Sequence, residues 1–174
     1  LKTGSRYDPV SNSWTAMTDV NAPTERGGSG RATDAVWTGR ELIVWGGYDY
    51  TLSVHLKDGG KYDPVADSWT STNTATAPVE RGGHTLVWTG REMIVWGGEN
   101  SASTAQTTGG RYDPAFDSWT ATNTVGATAS RQTHTAVWTG KHMVVWGGMD
   151  NGSNLLTSCG RYDPAIDTWT TMST

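Results

Sequence analysis

The chain has 174 residues, 35% of them hydrophobic, with ten tryptophans, 22 glycines and a net charge of −4. That length holds one sizeable core, and no run approaches the roughly 18 apolar residues of a membrane-spanning helix. A negative balance without any basic run argues against nucleic acid as a partner, and the single cysteine, Cys159, rules out an intrachain disulfide.

In chain order, residues 1–20 predict a hairpin, Gly4 to Pro9 and then Ser13 to Met17, around the step Arg6-Tyr7-Asp8-Pro9. Proline presets φ just after an aspartate whose carboxylate bonds backbone N–H groups two residues on, and Trp14-Thr15 resumes an extended segment. The step returns at Lys61-Tyr62-Asp63-Pro64, Arg111-Tyr112-Asp113-Pro114 and Arg161-Tyr162-Asp163-Pro164, and Trp14, Trp69, Trp119 and Trp169 stand 55, 50 and 50 residues apart. A fixed period near 50 is a repeat architecture. After the first hairpin come a loop over 21–32, a strand near 33–38, a second over 41–45 and a loop over 48–57. A third strand then runs into Tyr62-Asp63-Pro64, and a fourth covers 68–71. Residues 74–123 and 124–174 repeat this order, with Val87-Trp88-Thr89-Gly90 and Val137-Trp138-Thr139-Gly140 ending the first strand. The sum is fourteen strands and no helix longer than a turn. With no initiator Met and no signal peptide, Leu1 is expected to begin a processed, trimmed or engineered piece.

Second strands such as Met93-Ile94-Val95-Trp96 are apolar at consecutive positions, which predicts burial on both faces. The third and fourth strands are more polar, so each repeat is expected to be a four-stranded sheet with inner strands buried and outer strands nearer water. Thr-Gly after the first strand predicts a tight hairpin, and Gly46-Gly47, Gly97-Gly98 and Gly147-Gly148 mark a backbone that kinks or lies close to a neighbour. Three tryptophans per repeat do not offset the entropy of ordering one, so the sheets must stack.

Four strands per repeat, Gly-Gly after the second, and Tyr and Trp seven apart across the third and fourth resemble the kelch repeat, over essentially the whole chain. Val-Trp-Thr-Gly and Val-Trp-Gly-Gly look like bacterial members. The resemblance implies an all-β, kelch-type β-propeller segment of about three and a half blades. Residues 1–20 would be the outer hairpin of an incomplete blade. Residues 21–73, 74–123 and 124–174 would be blades 1 to 3, all within one domain. Closing the ring then needs either further blades or self-association, because an open inner face exposes tryptophan.

In kelch-type binding domains the residues before the inner strand and just after Gly-Gly line the mouth of the propeller. Carried over by position, these are Arg26, Arg81, Gly82, Arg131 and Gln132, with Tyr48, Asp49, Tyr50, Glu99, Asn100, Met149, Asp150 and Asn151 from the loops. A competing reading has the arginines merely paired with nearby carboxylates or carbonyls. His84 and His134 take equivalent positions, with Thr33 in the first repeat; a metal-binding ring of imidazoles is weighed against a histidine bonded at a blade corner, and the second is preferred. His142 and His55 belong to no pattern. Arg111 and Asp113, two apart on one face, are expected to pair structurally. Asp150-Asn151-Gly152-Ser153-Asn154 is similar to a calcium loop but lacks the distal bidentate Glu.

The resulting expectation is a non-catalytic module recognising a protein or glycan at the mouth, with no metal, no cofactor and no catalytic residues, in a secreted or bacterial cell-envelope setting. The alternatives are a carbohydrate-active enzyme of the mutarotase class, using Arg81 with Glu99, or of the oxidase class, and a structural spacer of a bacterial surface protein.

Overall fold

The computed structural model describes residues 3–27 and 35–172. Strands β1 (Ser5–Asp8) and β2 (Ser13–Ala16) form the first hairpin. Next come β3 (Ala35–Trp37), β4 (Leu42–Trp45), β5 (Tyr48–Asp49), β6 (Val54–His55), β7 (Gly59–Asp63) and β8 (Ser68–Ser71). Then follow β9 (Thr85–Trp88), β10 (Met93–Trp96), β11 (Gly109–Asp113) and β12 (Ser118–Ala121), and finally β13 (Thr135–Trp138), β14 (Met143–Trp146), β15 (Cys159–Asp163) and β16 (Thr168–Met172). The sheets run β3-β4-β7-β8, β9-β10-β11-β12 and β13-β14-β15-β16, all antiparallel. Innermost strand β9 neighbours both β3 and β13. The fold is all-β, and among the described residues there is no helix and the sheets do not close into a ring.

Two expectations about the strands need correction. The strands number sixteen among the described residues, because the loop over 48–57 contains its own two-stranded ribbon, β5–β6. The third strand is more buried than its polarity predicts: Tyr62, Tyr112 and Tyr162 are buried, as are Gly110 and Gly160, and only Arg161 is exposed. The cause is close packing, since a Cβ on Gly110 would meet Pro78 at 2.6 Å and Trp119 at 3.0 Å. Thr33, the counterpart proposed for His84, lies outside the described residues.

The hairpin chemistry works as the sequence predicts. Asp8, Asp63, Asp113 and Asp163 each accept from the N–H two residues on, at 2.8–3.0 Å. Tyr62, Tyr112 and Tyr162 face Trp69, Trp119 and Trp169 across the strands. Each tyrosine donates its hydroxyl to Asp67, Asp117 or Asp167 at 2.5–2.6 Å. Those aspartates take the left-handed conformation, with φ of 48°, 47° and 51°, which Asp tolerates better than most residues. Arg111 does not pair with Asp113. It donates to the Pro164 carbonyl of the next sheet at 2.8 Å, while Asp113 meets Arg91 at 3.4 Å.

Adjacent sheets are joined by a repeated clasp. The indoles of Trp69, Trp119 and Trp169 donate to the carbonyls of Thr18, Asn73 and Asn123 at 3.1, 2.9 and 3.0 Å. The N–H groups of the same three residues donate to Asp67, Asp117 and Asp167. One residue of each connection is thus held by both of its backbone polar groups, which would otherwise need water. Beneath the clasp, Val36, Ile43 and Trp45 pack on Met93, Val95, Tyr112 and Trp119. Val87, Ile94 and Trp96 pack in the same way on Met143, Val145, Tyr162 and Trp169. The indoles of Trp45 and Trp119 lie 5.1 Å apart, and those of Trp96 and Trp169 4.9 Å apart.

The two ends differ. Among the described residues the first hairpin has no inner strands beside it, and a cleft of about 210 Å³ opens between it and β4, bordered by Met17, Leu42, Val44 and Trp69. The far side of the third sheet carries exposed Val137, Trp146 and Met172.

Candidate functional site

Three loops joining the second and third strands of each sheet gather at one end of the array, together with the segments entering the first strands. Bridges join Gly27 to Tyr48, Gly82 to Glu99, and Gln132 to Met149, so the structure does bring these two groups of residues together in pairs. The loops share one plan. Asp49 accepts from the N–H groups of Thr51 and Leu52, Asn100 from Ala102 and Thr104, and Asp150 from Gly152 and Asn154. Ser53, Ser103 and Ser153 then turn through φ of 56°, 54° and 60°. The residues 150–154 that are similar to a calcium loop are therefore the third copy of this turn, and the Asp150 carboxylate is committed to it. Its hydrogen bonds, that from the Asn154 side chain first, hold the carboxyl below its usual range.

Neighbouring loops are also tied to each other. The His55 N–H donates to Ser101 Oγ at 3.2 Å, and the Ala105 N–H to Asn151 Oδ1. The three loops form one continuous rim. Its exposed side chains include Tyr50 (62%), Leu52 (68%) and Leu155 (82%). Tyr48 packs edge-on against both Tyr50 and His55, at 5.1 and 5.0 Å. His55 covers Gly82, where a Cβ would approach its ring to 2.8 Å, and lies 3.9 Å from the Glu99 carboxylate. Burial pushes the imidazole below its usual value, against the pull of Glu99 and Glu80, so the pair is not an ion pair at neutral pH.

The arginines do not line this surface. Arg81 is fully buried, donating to the carbonyls of Val79, Gly97 and Thr108 at 3.0, 2.9 and 2.7 Å and to Thr108 Oγ1 at 3.0 Å. Arg131 does the same with Ala129, Gly147 and Ser158, and also bonds Thr128 Oγ1. Arg26 bonds Gly46, Asp58 and Thr24. Each guanidinium fork fastens its own sheet where Gly-Gly leaves the second strand and the third begins. The reading in which they pair with carbonyls is the one the geometry supports, and an Arg81–Glu99 pair open to a sugar acid is not formed. Burial lowers Arg81 to about 10, which leaves it charged at neutral pH.

His84 and His134 are wedged between sheets. The His134 ring stands edge-on to Trp96 at 5.3 Å and shares a 2.9 Å hydrogen bond with Thr85 Oγ1. A Cβ on Gly97 would come within 2.5 Å of the His134 ring, and one on Gly46 within 2.7 Å of the His84 ring. The first glycine of each of these pairs therefore makes room for the next sheet's histidine. Among the described residues, no three His, Cys, Asp or Glu side chains are placed to hold a metal ion.

The model of the KLHDC2/KLHL20/DRC7 Kelch-repeats domain family matches residues 3–174. The chain belongs to the kelch-repeat family. No curated protein matches it significantly. Its three four-stranded sheets are kelch blades, and no helix among the described residues is long and apolar enough to cross a membrane.

The loop residues named from the sequence lie in these three loops, which also carry Leu52, His55 and Leu155, not named as mouth residues there. The equivalence of Asp49, Asn100 and Asp150, each two residues after a Gly-Gly pair, was the available signal. On the opposite end, His142 replaces an arginine as partner of the third aspartate. It meets Asp163 at 3.3 Å, where Arg40 meets Asp63 at 3.8 Å.

The wedged His84 has a pH consequence. Burial, with Arg81 beside it, pushes its imidazole from 6.5 to about 3. The unfolded chain therefore takes up this proton at higher pH than the kelch fold does. The stabilisation is complete above about 6.5 and is lost as pH falls towards 3, at up to about 1.4 kcal/mol per pH unit. Urea titrations at several pH values should show a shallower decline for His84→Gln than for the wild type; equal slopes would refute the assignment.

Proposed function

We propose that the chain is a non-catalytic kelch module that recognises a protein through the rim of its three mouth loops. Membership of the kelch-repeat family supports a role in protein interaction. The observation that carries the choice of surface is the rim itself. Loops fixed to each other by backbone-to-side-chain hydrogen bonds present non-repeated side chains, Tyr50, Leu52 and Leu155, on a pre-formed base. A rigid platform with exposed aromatic and aliphatic anchors loses little entropy on binding a polypeptide. Side chains that repeat identically serve the fold, whereas variable ones on a fixed scaffold carry specificity.

The test is selection of peptides from a random display library on the intact chain, followed by titration against variants. Tyr50→Ala and Leu155→Ala are each expected to weaken the selected peptides by about tenfold, the usual effect of removing a contact worth over 1 kcal/mol. Val65→Ala, on an exposed hairpin tip at the opposite end, is expected to change nothing. Loss of binding only at Val65 would move the site to the other end. Binding of simple glycans competed by none of the peptides would favour a sugar ligand.

A further inference from the structure

We propose that the open face of the third blade is an interface for a second copy of this chain, filled by that copy's first hairpin. The repeat register dictates the fit. At both internal interfaces a second-strand tryptophan meets a fourth-strand tryptophan of the following blade, Trp45 on Trp119 and Trp96 on Trp169. The third member of the first series is Trp146, 58% exposed where Trp45 and Trp96 are fully buried. In the second series the tryptophan with no blade before it among the described residues is Trp14, on the first hairpin and 70% exposed. Trp14 packs on Tyr7 at 5.1 Å, as Trp119 packs on Tyr112 at 4.9 Å, so the hairpin holds the docking pair in the geometry of a complete blade.

A polar series ends at the same two places. Arg6 donates to the Pro64 carbonyl, Lys61 to Pro114 at 3.3 Å and Arg111 to Pro164 at 2.8 Å. The next donor is Arg161, exposed on the third blade, and the remaining acceptor is the carbonyl of Pro9. The clasp is also prepared. Tyr7 bonds Asn12 Oδ1 at 2.9 Å, with Asn12 at φ 51°, reproducing the Tyr112–Asp117 arrangement that grips the connection from the preceding blade. One blade-to-blade joint thus stands open in halves at the two ends of the array, and docking continues the interface already made twice within it. The contact is head-to-tail, and two of them related by a two-fold axis close a dimer. Two Trp146 faces laid on each other would instead leave Trp14 and the Pro9 carbonyl without their counterparts.

Sedimentation of the intact 18.7 kDa chain over a hundredfold concentration range provides the test, with Trp14→Ala and Trp146→Ala as the paired variants. Both side chains are exposed in the single chain, so each variant keeps its far-UV spectrum. The wild type is expected to associate reversibly, and each variant alone to associate at least tenfold more weakly. Mixing the two variants restores association as a one-to-one complex, because one copy contributes an intact hairpin and the other an intact face. A monomeric wild type throughout would overturn the proposal and leave the face to further blades of a longer chain. So would full self-association of Trp14→Ala, the signature of two like faces meeting, or a mixture that fails to form the complex.

Discussion

Truncating Trp96 to alanine is expected to destabilise the chain by about 3–5 kcal/mol, the range for emptying a packed aromatic site. The indole is fully buried between Trp169 at 4.9 Å and His134 at 5.3 Å. It also lies against Gly109, where a Cβ would stand 2.9 Å from its ring. None of these neighbours collapses easily, because Trp169 is fixed by its bond to Asn123 and His134 by its bond to Thr85. Trp146, at the same position of the next blade, offers the control. Its loss in the dilute single chain leaves no cavity and is expected to cost under about 1 kcal/mol. Chemical denaturation of both variants decides the matter, and similar costs would mean that the burial contrast between the two faces is wrong.

Replacing Arg81 by Met is expected to cost a comparable amount, about 2–6 kcal/mol, for a different reason. The apolar chain fills much of the same space, so little cavity forms. What remains are the carbonyls of Val79 and Gly97, now without this donor, while that of Thr108 keeps the Gly97 N–H, at about 1–3 kcal/mol for each that water fails to reach. Lysine should restore less than half of the loss, because one ammonium does not span the positions that the planar fork reaches together. Urea midpoints of wild type, Arg81→Met and Arg81→Lys give the comparison. Full rescue by Lys would show that charge, and not the fork, is what the site needs.

The parts of the fold legible in the sequence are those set by neighbours along the chain. Tyr112 and Trp119 are seven apart, and a two-stranded turn of that length places them opposite each other. Thr89 and Gly90 make the expected turn, with Gly90 at φ +96° and Thr89 Oγ1 accepting from Glu92 N–H. The parts not legible depend on partners far along the chain. Arg81 sits where a mouth residue would sit, yet its guanidinium goes to carbonyls 16 and 27 residues away. Gly97 reads as a kink or a close approach and is both, with φ +67°, but that the neighbour is His134 of the next blade is not visible in the sequence. In the rim, Asp49, Asn100 and Asp150 perform one task with two residue types. Beside them Tyr48, Glu99 and Met149 share a backbone position with nothing common in their chemistry, so inspection of side chains alone does not align them.

Every clasp seizes its connection by a backbone N–H and a backbone carbonyl, at Thr18, Asn73 and Asn123 alike. The gripping side chains belong to the following unit, and apart from the Asn123 side chain, which donates to the Asp167 carbonyl at 3.2 Å, the gripped unit contributes only a backbone N–H and a backbone carbonyl. Connections are therefore free to drift in composition and length, as the long first one has done, without loosening the joint. A duplicated copy of some 50 residues inserted between two others brings its own grip and offers its own handle. Lineages of such arrays can lengthen or shorten by whole units in a single genetic event, with no compensating change on either side.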